Sequence, residues 1–143
     1  MTKKKIFLAS DHAGFELKQA IKKSLTKEGK NIMDLGTKSA SSVDYPDFAH
    51  LLSRKMKKYP NNFGILVCGS GIGMDMTANK HKNIRAALCY NLRSTKLSRK
   101  HNNANVIAIG SRLIKKNLAL KYIKTFLHTK FEGGRHLRRV KKI

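Results

Sequence analysis

The sequence predicts an α/β protein, a Rossmann-like three-layer sandwich on a five-stranded parallel sheet. Three observations lead there. Short apolar runs alternate with segments of helical spacing. Those runs lack polar alternation, as strands covered on both faces require. And a chain of 143 residues holds one core but not two, so a single domain spanning 1-143 is expected.

Lys5-Ile6-Phe7-Leu8-Ala9-Ser10 forms the first strand, ending at Asp11-His12-Ala13-Gly14. Leu17, Ala20, Ile21, Ser24 and Leu25 then recur at helical spacing as far as Gly29. Asn31 to Gly36 is the second strand. It is followed by a polar loop from Thr37 to Asp44 and a helix from about Pro46 to Lys58, where proline suits the first turn. Phe63 to Cys68 is the third strand and leads through glycines into a helix reaching about Lys80. Arg85 to Tyr90 makes the fourth strand, with a helix to about Lys100. Asn105 to Gly110 makes the fifth, with a helix from Leu113 to about Phe126 whose Leu118, Tyr122 and Phe126 share a face. A basic, structured tail ends the chain.

Such sheets bind ligands outside the carboxyl ends of their strands, near the reversal of strand order. Asp11-His12, the segment Cys68 to Gly73, and Gly110-Ser111-Arg112 all fall at strand carboxyl ends.

Composition narrows the partners. Lysine and arginine number 31 against 8 acidic residues, a net charge of +23, and no acidic residue lies between Asp75 and Glu132. Such a field attracts anions. Nucleic acid is the obvious one, but the lysines are scattered over nearly every helix, aromatics are 7% with no tryptophan, and no nucleic-acid-binding motif is visible. The excess lysine reads as solvated surface, and nucleic-acid binding as unlikely to be the main role. No apolar run approaches the roughly 18 residues that span a bilayer, and Met1-Thr2-Lys3-Lys4-Lys5 leads straight into a strand, without a secretory apolar core. The two cysteines, Cys68 and Cys89, form neither a disulfide framework nor a zinc pattern. Cytoplasmic residence without membrane contact is expected.

Gly69, Gly71 and Gly73 between a strand and a helix expose backbone N–H groups at a positive helix terminus, an anion cradle. The spacing is neither GxGxxG nor GxxxxGK[ST], which argues against a nucleotide. Cys68 at the strand end faces that terminus, where a thiolate is stabilised as a nucleophile or base, whereas Cys89 inside a strand reads as structural. Asp11 and His12 bring an acceptor and a group titrating near neutrality to the first strand end, and His101 with Asn102 offers a second acid-base group between the fourth helix and fifth strand. Capping or surface roles are the plain alternatives for each. Arg112 follows the fifth strand, while Arg135 and Arg139 stand four apart on one face of a helical tail. All three suit bidentate phosphate binding. On residues alone, cofactor binding, acyl transfer and isomerisation all remain open.

Eight segments carry more: Ser10-Asp11-His12-Ala13-Gly14-Phe15, Asp44-Tyr45-Pro46-Asp47-Phe48-Ala49, Cys68-Gly69-Ser70-Gly71-Ile72-Gly73, Ala78-Asn79-Lys80, Arg99-Lys100-His101-Asn102, Asn105-Val106, Gly110-Ser111-Arg112 and Glu132-Gly133-Gly134-Arg135-His136. Together they resemble the ribose-5-phosphate isomerase B family, which includes the galactose-6-phosphate isomerase subunits, over essentially the whole chain. The galactose branch differs around His101-Asn102 and Gly133 to His136, which favours the pentose enzyme.

The resemblance implies interconversion of D-ribose 5-phosphate and D-ribulose 5-phosphate, with no metal or cofactor, by a homodimer or dimer of dimers whose sites are completed across the interface. The basic segment of about 130-143 would pack at the site or that interface. Cys68 would move the proton between C2 and C1, the amides of Gly69, Ser70, Gly71, Ile72 and Gly73 would hold the enediolate oxygens, and Ser70 would relay protons. His101 would open the furanose ring, assisted by Asp11 and His12, with Asn102 on a sugar hydroxyl and Arg112, Arg135 and Arg139 on the phosphate. Ser70 stands where many relatives have threonine, and keeps the hydroxyl. A hexose 6-phosphate such as allose 6-phosphate is the alternative substrate.

Overall fold

The computed structural model describes residues 4–143, so the start of the basic N-terminus, residues 1–3, lies outside the described residues. In chain order the elements are β1 (Lys5–Ser10), α1 (Phe15–Lys27), β2 (Asn31–Asp34), α2 (Tyr45–Lys58), β3 (Phe63–Cys68), α3 (Ile72–Ala78), β4 (Ala86–Leu88), α4 (Leu92–Lys100), β5 (Val106–Gly110), α5 (Lys116–His128) and α6 (Arg135–Val140). The five strands form one parallel sheet in the order β2-β1-β3-β5-β4. Among the described residues no helix is long and apolar enough to cross a membrane.

The unbroken apolar strands divide their side chains between two cores. On one face Ile6, Leu8, Ile65, Val67, Ile107 and Ile109 meet Leu17, Ile21 and Leu25 of α1 and Ala119, Ile123 and Phe126 of α5. On the other, Phe7, Ala9, Leu66, Cys68 and Val106 meet α2 and α3 through Ala49, Leu52, Met56, Met74 and Ala78. The three expected layers follow from that two-residue alternation.

Several boundaries differ from the sequence expectation. β4 is three residues long rather than six and leaves Cys89 beyond its end, still buried, with its N–H donating to Ala108 O at 3.1 Å. α5 starts at Lys116, because the N–H groups of Leu113 and Ile114 both turn back onto Gly110 O. That turn leaves Leu113 exposed. Leu118 is 38% exposed, and the buried face of α5 is Ala119, Tyr122, Ile123 and Phe126.

Two cations escape the solvated-surface reading. Lys18 is 1% exposed and its ammonium binds both carboxylate oxygens of Asp34, at 2.8 and 2.7 Å. Burial pulls the Asp34 carboxyl up, but Lys18 and the Gly36 N–H pull harder and hold it below its ordinary range. Arg99 lies over the rings of Phe63 and Phe126 and donates to Ala104 O, Asn103 Oδ1 and Thr129 O.

Removing one partner of a buried ion pair costs on the order of 3 to 5 kcal/mol, because the other charge is stranded out of water. Asp34→Ala strands the fully buried Lys18. Lys18→Met leaves a carboxylate that Lys22 still reaches at 3.3 Å. Denaturant unfolding should therefore find Asp34→Ala the more destabilising of the two; the reverse order would mean Lys18 hydrates once unpaired.

Candidate active site

At the carboxyl edge of the sheet, β1, β3 and β5 end side by side and deliver Asp11, Cys68 and Arg112. The Asp11 N–H donates to Val67 O at 3.2 Å, and its Oδ1 accepts the Gly14 N–H at 3.0 Å, which closes the turn into α1. The same turn presents His12. Its Nδ1 accepts the Val43 N–H at 3.1 Å, so the ring's proton sits on Nε2 and that edge is a donor.

Cys68 is the buried last residue of β3, and its Sγ accepts the Gly71 N–H at 3.1 Å. The chain can bend back this tightly because Gly71 has φ +79°, a left-handed conformation open to glycine. A Cβ there would also lie 2.9 Å from the Ile109 carbonyl carbon. Ser70 Oγ accepts the Ile72 N–H at 3.2 Å. The Ser111 and Arg112 N–H groups donate to Cys68 O and Gly69 O and carry the β3–β5 pairing past the strand ends. They bring the Arg112 guanidinium against Gly69, with Nη1 3.2 Å from where a Cβ would stand. Tyr45 lies over Gly73; it entered the sequence reading only as part of a motif.

The remaining predicted residues are elsewhere. α4 runs back across the sheet, so His101, at its C-terminus, lies with Asn102 beside the amino ends of the strands. There His136 of α6 stacks on His101, ring centres 4.2 Å apart and planes 13° apart. His101, Asn102, His136, Arg139, Val140 and Ile143 line a cavity of about 390 Å³. Arg135 and Arg139 stand four residues apart on α6. The structure thus groups Asp11, His12, the Cys68-to-Gly73 loop and Arg112 at one edge, and His101, Asn102, Arg135 and Arg139 at the other. A six-residue strand separates them by roughly 20 Å.

A model of the family described as Ribose/Galactose Isomerase matches residues 6–143. The chain belongs to this family. It is 44% identical over 139 residues to the probable ribose-5-phosphate isomerase B of Mycoplasma pneumoniae, covering 96% of this chain and 91% of that protein. It is 41% identical to ribose-5-phosphate isomerase B of Escherichia coli, covering 98% and 94%. Among solved structures, the Thermotoga maritima ribose 5-phosphate isomerase superposes with a TM-score of 0.95 at 47% identity, covering 99% and 97%. The Mycoplasma genitalium enzyme with bound ribulose-5-phosphate gives 0.95 at 42%, covering 99% and 95%.

Sequence reasoning missed Asp75, in the first turn of α3. Its carboxyl is half-buried, and one oxygen is fully enclosed with no hydrogen-bond partner among the described residues. Nearby elements expose apolar side chains: Ile72 and Met76 on α3, Tyr90 after β4 and Leu97 on α4.

Burial pushes the Asp75 carboxyl up to about 6 from 3.8. The folded chain therefore holds this proton more tightly than the unfolded chain. The resulting stability is full below about pH 3.8 and is lost as pH rises through about 6. Asp75→Asn cannot ionise, so relative to the native chain it should gain stability steadily between about pH 4 and pH 7. Denaturant unfolding across that range measures the gain, and parallel profiles would mean that Asp75 finds a cation in solution.

Proposed function

We propose that the chain is an aldose-ketose isomerase interconverting D-ribose 5-phosphate and D-ribulose 5-phosphate, in the non-oxidative branch of the pentose phosphate pathway. One observation carries this reading. Cys68 sits under the Gly71 N–H at the carboxyl end of β3, in a chain of the same fold as, and 42% identical to, a relative solved with ribulose-5-phosphate.

In the open-chain aldose, Cys68 takes the proton from C2 and the released electron pair forms the C1–C2 double bond of a cis-enediolate. The N–H groups of the Gly69-to-Gly73 loop hold the two oxygens as charge develops on them. Cys68 returns its proton to C1, while Ser70 relays the hydroxyl proton from the C2 oxygen to the C1 oxygen. The ketose results without net oxidation. Asp11 and the Nε2–H of His12 meet the sugar beside Cys68, and Arg112 holds one side of the phosphate.

Ring opening needs an acid, and His101 is our candidate, with Asn102 on a sugar hydroxyl and Arg135 and Arg139 on the phosphate. No pentose phosphate bridges the roughly 20 Å between Cys68 and His101 of one chain. We therefore infer a homodimer in which each site joins the Cys68 edge of one chain to the His101 edge of the other. The exposed Ile72 and Met76 of α3, the helix that follows the Cys68 loop, support a protein contact there. In this scheme 1–143 acts as one domain and its basic segment from about 130 onward, carrying α6, completes the partner's site. Two free cysteines suit a cytoplasmic enzyme.

Cys68→Ala should lower kcat for ribose 5-phosphate by on the order of 100-fold or more, with little change in KM. Equal activity would remove Cys68 from the mechanism, and a higher kcat/KM for allose 6-phosphate would move the substrate to a hexose. Mixing two inactive variants, Cys68→Ala and His101→Ala, should restore roughly a quarter of native activity, since half the dimers are hybrid and each hybrid has one intact site. No recovery would place both residues' work within one chain.

A further inference from the structure

We propose that His101, Glu132 and His136 form an inhibitory site for a divalent transition-metal ion of the zinc class. Among the described residues, these three make up the one group of His, Cys, Asp and Glu side chains arranged to hold a metal, with ligand atoms all within 4.8 Å of one another. Metal binding follows from this geometry alone. Inhibition rests in addition on the role given to His101 above.

The backbone brings the three together from separate segments. His101 caps α4, with its N–H donating to Leu97 O at 2.9 Å. The Glu132 N–H donates to Lys100 O at 3.1 Å, which ties it to the same turn. His136 lies in the first turn of α6 and is 8% exposed, held by the His101 ring above it. Glu132 is the movable arm, its side chain 49% exposed and one oxygen already 3.7 Å from His136 Nε2.

Two imidazoles and one carboxylate are a zinc-type donor set that leaves a fourth position for water. Bond lengths of about 2.0 to 2.2 Å put the ligand atoms of a tetrahedral ion roughly 3.3 Å apart. The side chains must therefore close in by up to about 1.5 Å, through χ rotations at Glu132 and rotation of the two parallel rings out of their stack so that their lone pairs converge. Ligation needs neutral imidazole. Arg135 and Arg139 oppose a cation here, and Glu132 is the acidic group that offsets them. A metal ion takes up one His101 nitrogen and fixes the imidazole in its coordination sphere, so that nitrogen can no longer deliver a proton to the sugar ring oxygen, and capture of this ring stops the enzyme before proton transfer at Cys68.

The test is titration of the purified full-length chain with Zn2+, by calorimetry and by activity, and with Co2+, whose visible absorption reports a nitrogen-oxygen site directly. The native chain is expected to bind one ion per chain and to lose activity as Zn2+ is added, with recovery on chelation. Measured against its own metal-free activity, Glu132→Gln should need at least about tenfold more Zn2+ for half-inhibition. His136→Gln should lose the Co2+ spectrum, and Cys68→Ala should keep it. If Zn2+ affinity is unchanged in Glu132→Gln, or binding disappears in Cys68→Ala because the ion sits on the thiol, the proposal is overturned. The Co2+ spectrum needs no catalysis, so an inactive native chain that gives it would count against the assigned reaction and not against the metal site.

Discussion

Where β3 and β5 end side by side, the carbonyl oxygen of Ser70 comes so near Gly110 that a Cβ there would stand 2.5 Å from it, and one on Gly71 would stand 2.9 Å from the Ile109 carbonyl carbon. This close approach folds the Cys68-to-Gly73 loop down over the end of β5. The fold directs the Gly71 N–H at Cys68 Sγ and seats Arg112 against Gly69. A side chain at either glycine would lift the loop and part all of these groups together, because they share one piece of backbone. The cradle is thus a consequence of sheet-end packing.

Two buried cations extend the same logic to the rest of the site. Lys18 holds Asp34, whose Oδ1 accepts the Gly36 N–H; Gly36 O in turn accepts the Ser10 N–H just ahead of Asp11 and His12. Arg99 ties the end of α4 to Ala104 O and to Thr129 O at the end of α5, which fixes the turn carrying His101 and leads toward Glu132 and α6. Each half of the candidate site therefore has its own charged anchor one layer beneath it. Both anchors are expensive to desolvate, and both are satisfied by several oxygens rather than one.

The fold was legible because parallel strands buried on both faces leave unbroken apolar runs, and because glycines follow every run but the fourth, which enters its helix through Asn91. The carboxyl-edge half of the site was legible for the same reason, since Asp11, Cys68 and Arg112 each follow a run directly. The late start of α5 was not, because turn hydrogen bonds onto Gly110 O decide it, and neither was the short β4, whose apolar run continues past the last paired residue. Nor were Lys18 and Arg99 distinguishable from the surrounding lysines and arginines, as burial of a cation depends on partners distant in sequence. Asp75 stayed hidden for the opposite reason: its burial comes from the packing of its neighbours, with one carboxylate oxygen unpartnered among the described residues. The isomerase assignment came from a combination of motifs; spacing alone left several chemistries open.

Sheet polarity links the two halves. A residue directly after a strand falls at the carboxyl edge, and one directly after a helix falls at the amino edge, so Cys68 and His101 belong to opposite ends by chain order alone. A two-fold axis that sets one carboxyl edge against another chain's amino edge necessarily does so twice, giving two equal pockets from one contact. In the proposed dimer each pocket gathers Arg112 from one side and Arg135 and Arg139 from the other. Three guanidinium groups brought together in a partly desolvated cleft repel one another unless an anion lies between them. A doubly charged phosphate offsets that repulsion and spans both chains at once. In that proposed dimer, substrate binding and closure of the subunit contact would favour each other, and the reacting carbons would be held over Cys68 by charges drawn from both halves of the assembly.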